Sequence, residues 1–165
     1  MKLSLRYLIL IILTLGSIAD ATSSDEDITG EAYFYENSTW RGYWGTKIEK
    51  DGVVVTKSNK KMLDFKNKDI VKTLKLNKIK LDNLCTTLIN FGFFNLPNMI
   101  APGGSGDGPH FTIQFTCKNS THKVDFFAMP QAKTDKESDI FIKSWIAIGD
   151  LMPIEAPNPL NYVEL

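Results

Sequence analysis

The chain has 165 residues, with 19 basic and 19 acidic side chains and a formal charge of zero at neutral pH. A chain of this length can bury one sizeable core but leaves little room for a second. The charge balance excludes recruitment of a partner by bulk charge alone.

Residues 1–21 have the pattern of a secretory signal peptide. Lys2 and Arg6 precede the apolar run from Leu8 to Leu13, and small residues stand at Ala19 and Ala21. The apolar run is too short to cross a hydrocarbon layer about 30 Å thick. The expectation is an exported chain, periplasmic or secreted, with no transmembrane segment once the leader is removed. Asp25, Glu26, Asp27 and Glu31 then make residues 22–31 acidic and aperiodic, which predicts a mobile lead-in. A single domain over residues 32–165 follows, ending in an extended tail that contains proline.

Tyr33, Phe34, Tyr35, Trp40, Tyr43 and Trp44 cluster ahead of Asp51-Gly52, a dipeptide that favours hairpin turns. Its flanks, residues 45–50 and Val53 to Thr56, read as two antiparallel strands. Ile70, Lys72, Leu74 and Leu76 alternate with Val71, Thr73 and Lys75, which predicts a further, half-buried strand. Across the same region Lys57, Lys60, Lys61, Lys66, Lys68, Lys72 and Lys75 outnumber Asp64 and Asp69. These lysines are a candidate basic patch for an anionic polymer or a membrane surface. No arginine or aromatic pattern is interleaved to read bases, so nucleic acid is not an expected partner.

From Lys78 the period lengthens: Leu81, Leu84, Cys85 and Leu88 recur at helical spacing, Gly92 stands where a left-handed C-cap would fall, and Pro97 prevents continuation. Residues 97–109 form a loop carrying Gly103, Gly104, Ser105, Gly106, Asp107 and Gly108. It lacks the lysine and hydroxyl spacing of a phosphate cradle and leads into a strand. Asp107 is its only acid, too few for a calcium loop. It is therefore a candidate partner-contact loop.

Phe111, Ile113, Phe115 and Cys117 share one face of the next strand. A turn at Asn119-Ser120 would return the chain with His122, Val124, Phe126 and Ala128 on that same face, placing His122 opposite Cys117. The only two cysteines, Cys85 and Cys117, would then lie on the inward stripe of the first helix and the inward face of this strand, so a disulfide would staple helix to sheet. Thr134 and Glu137 have capping-box spacing at the start of a second helix, whose buried stripe would be Phe141, Trp145, Ile148 and Met152. Pro153, Pro157 and Pro159 end it and extend the tail.

Little of this points to catalysis. In the expected register His110 and His122 project from opposite faces, about 23 Å apart along the ladder, and cannot share a metal ion. No Gly-x-Ser-x-Gly elbow or His-Glu-x-x-His pattern occurs. The expectation is a protein without enzymatic activity, metal or cofactor.

Four sequence features are similar to a known family. They are Lys50-Asp51-Gly52-Val53-Val54, Leu88-Ile89-Asn90-Phe91-Gly92-Phe93-Phe94-Asn95-Leu96-Pro97, Gly106-Asp107-Gly108-Pro109 entering Phe111-Thr112-Ile113, and His122-Lys123-Val124. Together, over about residues 46–152, they resemble the small emfourin-like bacterial domains. That resemblance implies a non-enzymatic protein that binds and inhibits a thermolysin-like metalloprotease. No inhibitory residue transfers position by position. The combined expectation is an α+β domain: an antiparallel sheet of about five strands on two helices, one Cys85–Cys117 disulfide, and a binding function toward a protein partner. The alternative is a cell-envelope protein that uses its lysines.

Overall fold

Side-chain alternation builds a larger sheet than the sequence pattern predicts. The computed structural model describes residues 27–35, 43–59, 70–101, 108–128 and 135–163. Among them, seven strands form one sheet: β1 Thr29–Tyr35, β2 Tyr43–Ile48, β3 Val53–Asn59, β4 Ile70–Lys75, β5 Met99–Ile100, β6 His110–Cys117 and β7 Ser120–Phe127. Two α-helices, α1 Lys78–Phe91 and α2 Lys136–Gly149, complete an α+β fold. The strand order is β4-β3-β2-β1-β6-β7-β5, antiparallel throughout except for β5, which runs parallel to β7. The sheet is therefore mixed, and larger than the five antiparallel strands expected.

The two additional strands are β1 and β5. β1 lies at the centre of the sheet, between β2 and β6, and includes Thr29, Gly30 and Glu31, which the sequence pattern places in the lead-in. Its inward residues are Gly30, Ala32 and Phe34. A Cβ at Gly30 would stand 2.5 Å from Phe115 Cδ2, so the Phe115 ring occupies the space a side chain would need. Two small residues out of three leave β1 with almost no hydrophobic alternation. β5 has two residues and no pattern at all.

The β6–β7 hairpin keeps the expected faces but not the expected pairing. Lys118 and Asn119 both have positive φ, 49° and 61°, and form the two-residue turn. Cys117 therefore pairs with Ser120, Phe115 with His122, Ile113 with Val124 and Phe111 with Phe126. This is a two-residue shift from a turn at Asn119-Ser120, so inward side chains stay inward. Twist matching selects the left-handed pair, even with a lysine in one of its positions.

One face of the sheet carries the core. Phe111, Ile113, Phe115, Val124 and Phe126 are essentially inaccessible to solvent, as are Leu88 of α1 and Phe141 and Trp145 of α2. Phe126 stacks on Phe141 at 4.9 Å, Phe111 meets the edge of Trp145 at 5.0 Å, and Trp44 meets Trp145 at 5.3 Å. Each such side chain stabilises the fold by about 1.5–3 kcal/mol relative to exposure. The disulfide ties Cys85 of α1 to Cys117 at the end of β6, with Cα atoms 5.9 Å apart, as the two inward stripes predict.

The helix ends follow local chemistry. Asn77 caps α1 by accepting a bond from the Lys80 N–H, and Gly92 closes it at φ 89°. Asp135 caps α2 by accepting from the Ser138 N–H at 2.7 Å, one position after the expected cap at Thr134, which lies outside the described residues. α2 ends at Gly149, so Met152 falls in the following turn. The tail then returns across the sheet, where Ile154 and Pro157 carbonyls accept the indole N–H groups of Trp44 and Trp145.

Candidate functional site

The face of the sheet away from the core shows a repeated composition. Pairing aligns Asn59, Tyr43, Tyr35, His110 and Phe127 in one row across β3, β2, β1, β6 and β7. The next row is Lys57, Gly45, Tyr33, Thr112 and Asp125, and the third is Val55, Lys47, Glu31, Gln114 and Lys123. These residues alternate with the buried set along every strand, so neither helix covers them. Tyr35 at the centre is 47% exposed. His110 and Phe127 lie parallel, with ring centroids 4.4 Å apart.

Gly45 is needed beneath this face: a Cβ there would lie 2.9 Å from Tyr33 Cδ1. The Tyr33 ring lies across the cross-strand glycine and its hydroxyl donates to Glu31 Oε2 at 2.9 Å. Burial, with the bond to Glu31 and that carboxylate's charge, pushes the phenol up to about 12.

His110, Thr112 and Asp125 form a polar cluster beside the aromatic row. Thr112 Oγ1 donates to Asp125 Oδ1 at 2.7 Å, and His110 Nε2 lies 3.2 Å from the same oxygen. Lys123 Nζ lies 3.1 Å from Asp125 Oδ2. Burial pushes the Asp125 carboxyl up. The Thr112 hydrogen bond, the Lys123 ammonium and the His110 ring outweigh it, and the carboxyl is held below its ordinary value. The cluster does not have relay geometry. His110 Nε2 also lies 3.3 Å from Thr112 Oγ1, so one nitrogen faces both the acid and the hydroxyl, and that hydroxyl is committed to the acid. The three residues brace one another and the rows around them.

The second histidine faces the core. His122 Nε2 bonds the Leu96 carbonyl at 2.8 Å, and its ring meets the edge of Phe93 at 5.5 Å. It pairs with Phe115, not Cys117, and Cys117 is in the disulfide. The corrected register separates the histidines by five ladder positions, about 17 Å, still on opposite faces. Among the described residues, no group of three or more histidines, cysteines or acids could hold a metal ion.

Of the candidate basic patch, Lys57, Lys72 and Lys75 are described; Lys60, Lys61, Lys66 and Lys68 lie outside the described residues. The strands do not gather the three. Lys57 and Lys75 lie on the open face, four positions apart along β4 by register, and Lys75 pairs with Asp51 at 3.1 Å. Lys72 is on the opposite face, across from Thr56. Of the candidate contact loop, Gly108 is described, while Gly103, Gly104, Ser105, Gly106 and Asp107 lie outside the described residues. Gly108 stands two positions before His110, so the loop leads directly into the aromatic row.

A cleft of about 630 Å³ opens on the helix side, between β2–β4 and the tail. Trp44, Ser58, Ile70, Lys72, Pro157 and Asn158 are among its walls. The sequence singles out some members, Lys72 and Trp44 of the cleft and Tyr35 and Tyr43 of the row, but no motif brings either set together. The row was hidden because Tyr35 and Tyr43 stand eight residues apart in the chain and become neighbours only through β1–β2 pairing.

Among the described residues no helix is long and apolar enough to cross a membrane. No protein-family model matches the chain, and no curated protein sequence matches it.

Proposed function

We propose that the protein is an exported, non-enzymatic binding protein that engages a protein partner through the open face of its sheet. A thermolysin-like metalloprotease is the partner class that the sequence resemblance names. The observation that carries this reading is the row Tyr43, Tyr35, His110 and Phe127, in register across four strands on a face that, among the described residues, neither α-helix covers. At the usual strand spacing these rings extend over about 15 Å. Large planar side chains flanked by charged residues are the composition of a protein interface, with anchors at the centre and a polar rim. Lys47, Glu31 and Lys123 would supply that rim. Gly108, the described end of the candidate contact loop, stands two positions before His110.

Titration of a thermolysin-class metalloprotease with the purified, oxidised protein, following peptide hydrolysis, tests the reading. It predicts stoichiometric loss of hydrolysis with the added protein left intact. Unaffected hydrolysis, or cleavage of the added protein, removes the metalloprotease from the account.

A further inference from the structure

Among the described residues, the two edges of the sheet are unequal. At one end β5 offers two residues, while at the other β4 offers six in an unbroken register with β3, from Val53 opposite Lys75 to Ser58 opposite Ile70. An edge strand presents alternate backbone N–H and C=O groups to whatever lies beside it, and proteins guard such edges with proline, bulges, short length or inward charges. β4 has no proline and no bulge. Every residue of it is exposed except the half-buried Leu74. Ile70 and Val71 are 48% and 52% exposed and point to opposite faces, so an added strand would cover apolar surface on both sides.

The remaining guards are lysines, and their placement selects the occupant. Lys72 lies on the helix-side face, and Lys57 lies on the open face across from Val71. We infer that β4 takes an extended acidic segment of another polypeptide as an eighth strand. A carboxylate opposite Lys72, and one opposite Val71 that reaches over it toward Lys57 on the next strand, would turn two repelling cations into anchors, while the backbone supplies the ladder. A second copy of this chain fits poorly, because its β4 brings two more lysines and no carboxylate. The antiparallel register that pairs Ile70 with Leu74 of the other copy sets the two Lys72 side chains directly opposite each other, a like-charge pair. This inference does not rest on the aromatic face and stands or falls separately from it.

The probe is a labelled, end-blocked octapeptide, Val-Glu-Glu-Val-Val-Glu-Glu-Val, whose adjacent glutamates present carboxylates to both faces of an added strand; it is titrated by fluorescence anisotropy and followed by hydrogen exchange. The expected result is saturable binding with slowed exchange confined to the β4 amides. Binding should weaken about tenfold or more when alternate peptide nitrogens are methylated, because ladder bonds are lost. Lys72→Glu, whose folding is checked by its urea midpoint, should weaken binding to a similar extent. No saturable binding into the millimolar range overturns the inference. So does binding indifferent to methylation, equal binding of the lysine–valine counterpart, or a β4-mediated dimer in sedimentation.

Discussion

Reducing the Cys85–Cys117 bond perturbs one covalent constraint and removes no atom from the core. The bond closes a loop with a sequence separation of 32 residues. The chain-entropy relation gives about 3.7 kcal/mol at 25 °C for a loop of that length. Total stabilities of such domains are about 5–15 kcal/mol, so reduction removes a large share. With a urea slope of about 2 kcal/mol per molar, the midpoint should fall by about 2 M. The slope itself should rise, because the reduced unfolded chain is more expanded. The assay is urea unfolding followed by tryptophan fluorescence, with and without a thiol-free reductant. Replacing both residues by alanine should cost about 1–2 kcal/mol more, since Cys85 and Cys117 are 3% and 1% exposed and their sulfurs leave voids. An unchanged midpoint on reduction would refute the reasoning that the bridge limits the unfolded ensemble.

Three further outcomes are expected. Gly30→Ala should lower stability by about 1–3 kcal/mol in thermal unfolding, because the buried Phe115 ring must move; Gly45→Ala should cost less, because Tyr33 is partly exposed and can swing outward. The reverse order would contradict the packing described. Asp135→Ala should cost about 1 kcal/mol at neutral pH through loss of the α2 cap. The backbone bond from Ser138 holds the Asp135 carboxyl below its ordinary value, so the cap's contribution is present above the unfolded value near pH 4 and is lost as pH falls through the lower folded value. The difference between wild type and variant should therefore shrink in acid, and a difference independent of pH would refute the assignment. In ultraviolet titration one phenol, absent in Tyr33→Phe, should ionise near pH 12. Its raised folded value means that its contribution to stability is full below pH 10 and lost as pH rises toward about 12. If all phenols ionise near pH 10, the Tyr33–Glu31 bond is not formed.

What the sequence disclosed depended on whether a pattern was local. Leu81, Leu84, Cys85 and Leu88 repeat at helical spacing, and all four are buried in α1. Asp51-Gly52 forms its turn, and the inward positions of Cys85 and Cys117 carried the disulfide. β1 was illegible because two of its three core-facing residues are small: Gly30 makes way for Phe115 from a strand over eighty residues away. β4 read as half-buried from its alternation, but sheet order puts it at an edge, where alternation does not bury a face. The aromatic row required the pairing of four strands to exist at all. No single segment could signal it.

The most direct test of the binding face compares inhibition of a thermolysin-class metalloprotease by wild type and by Tyr35→Ala, with urea midpoints measured alongside. Tyr35 is exposed, so truncation should leave the midpoint nearly unchanged. As a central anchor it should weaken inhibition by about 10- to 30-fold. Equal inhibition by both proteins at equal stability would contradict the claim that this face makes the contact, and absence of inhibition by either would contradict the metalloprotease as partner.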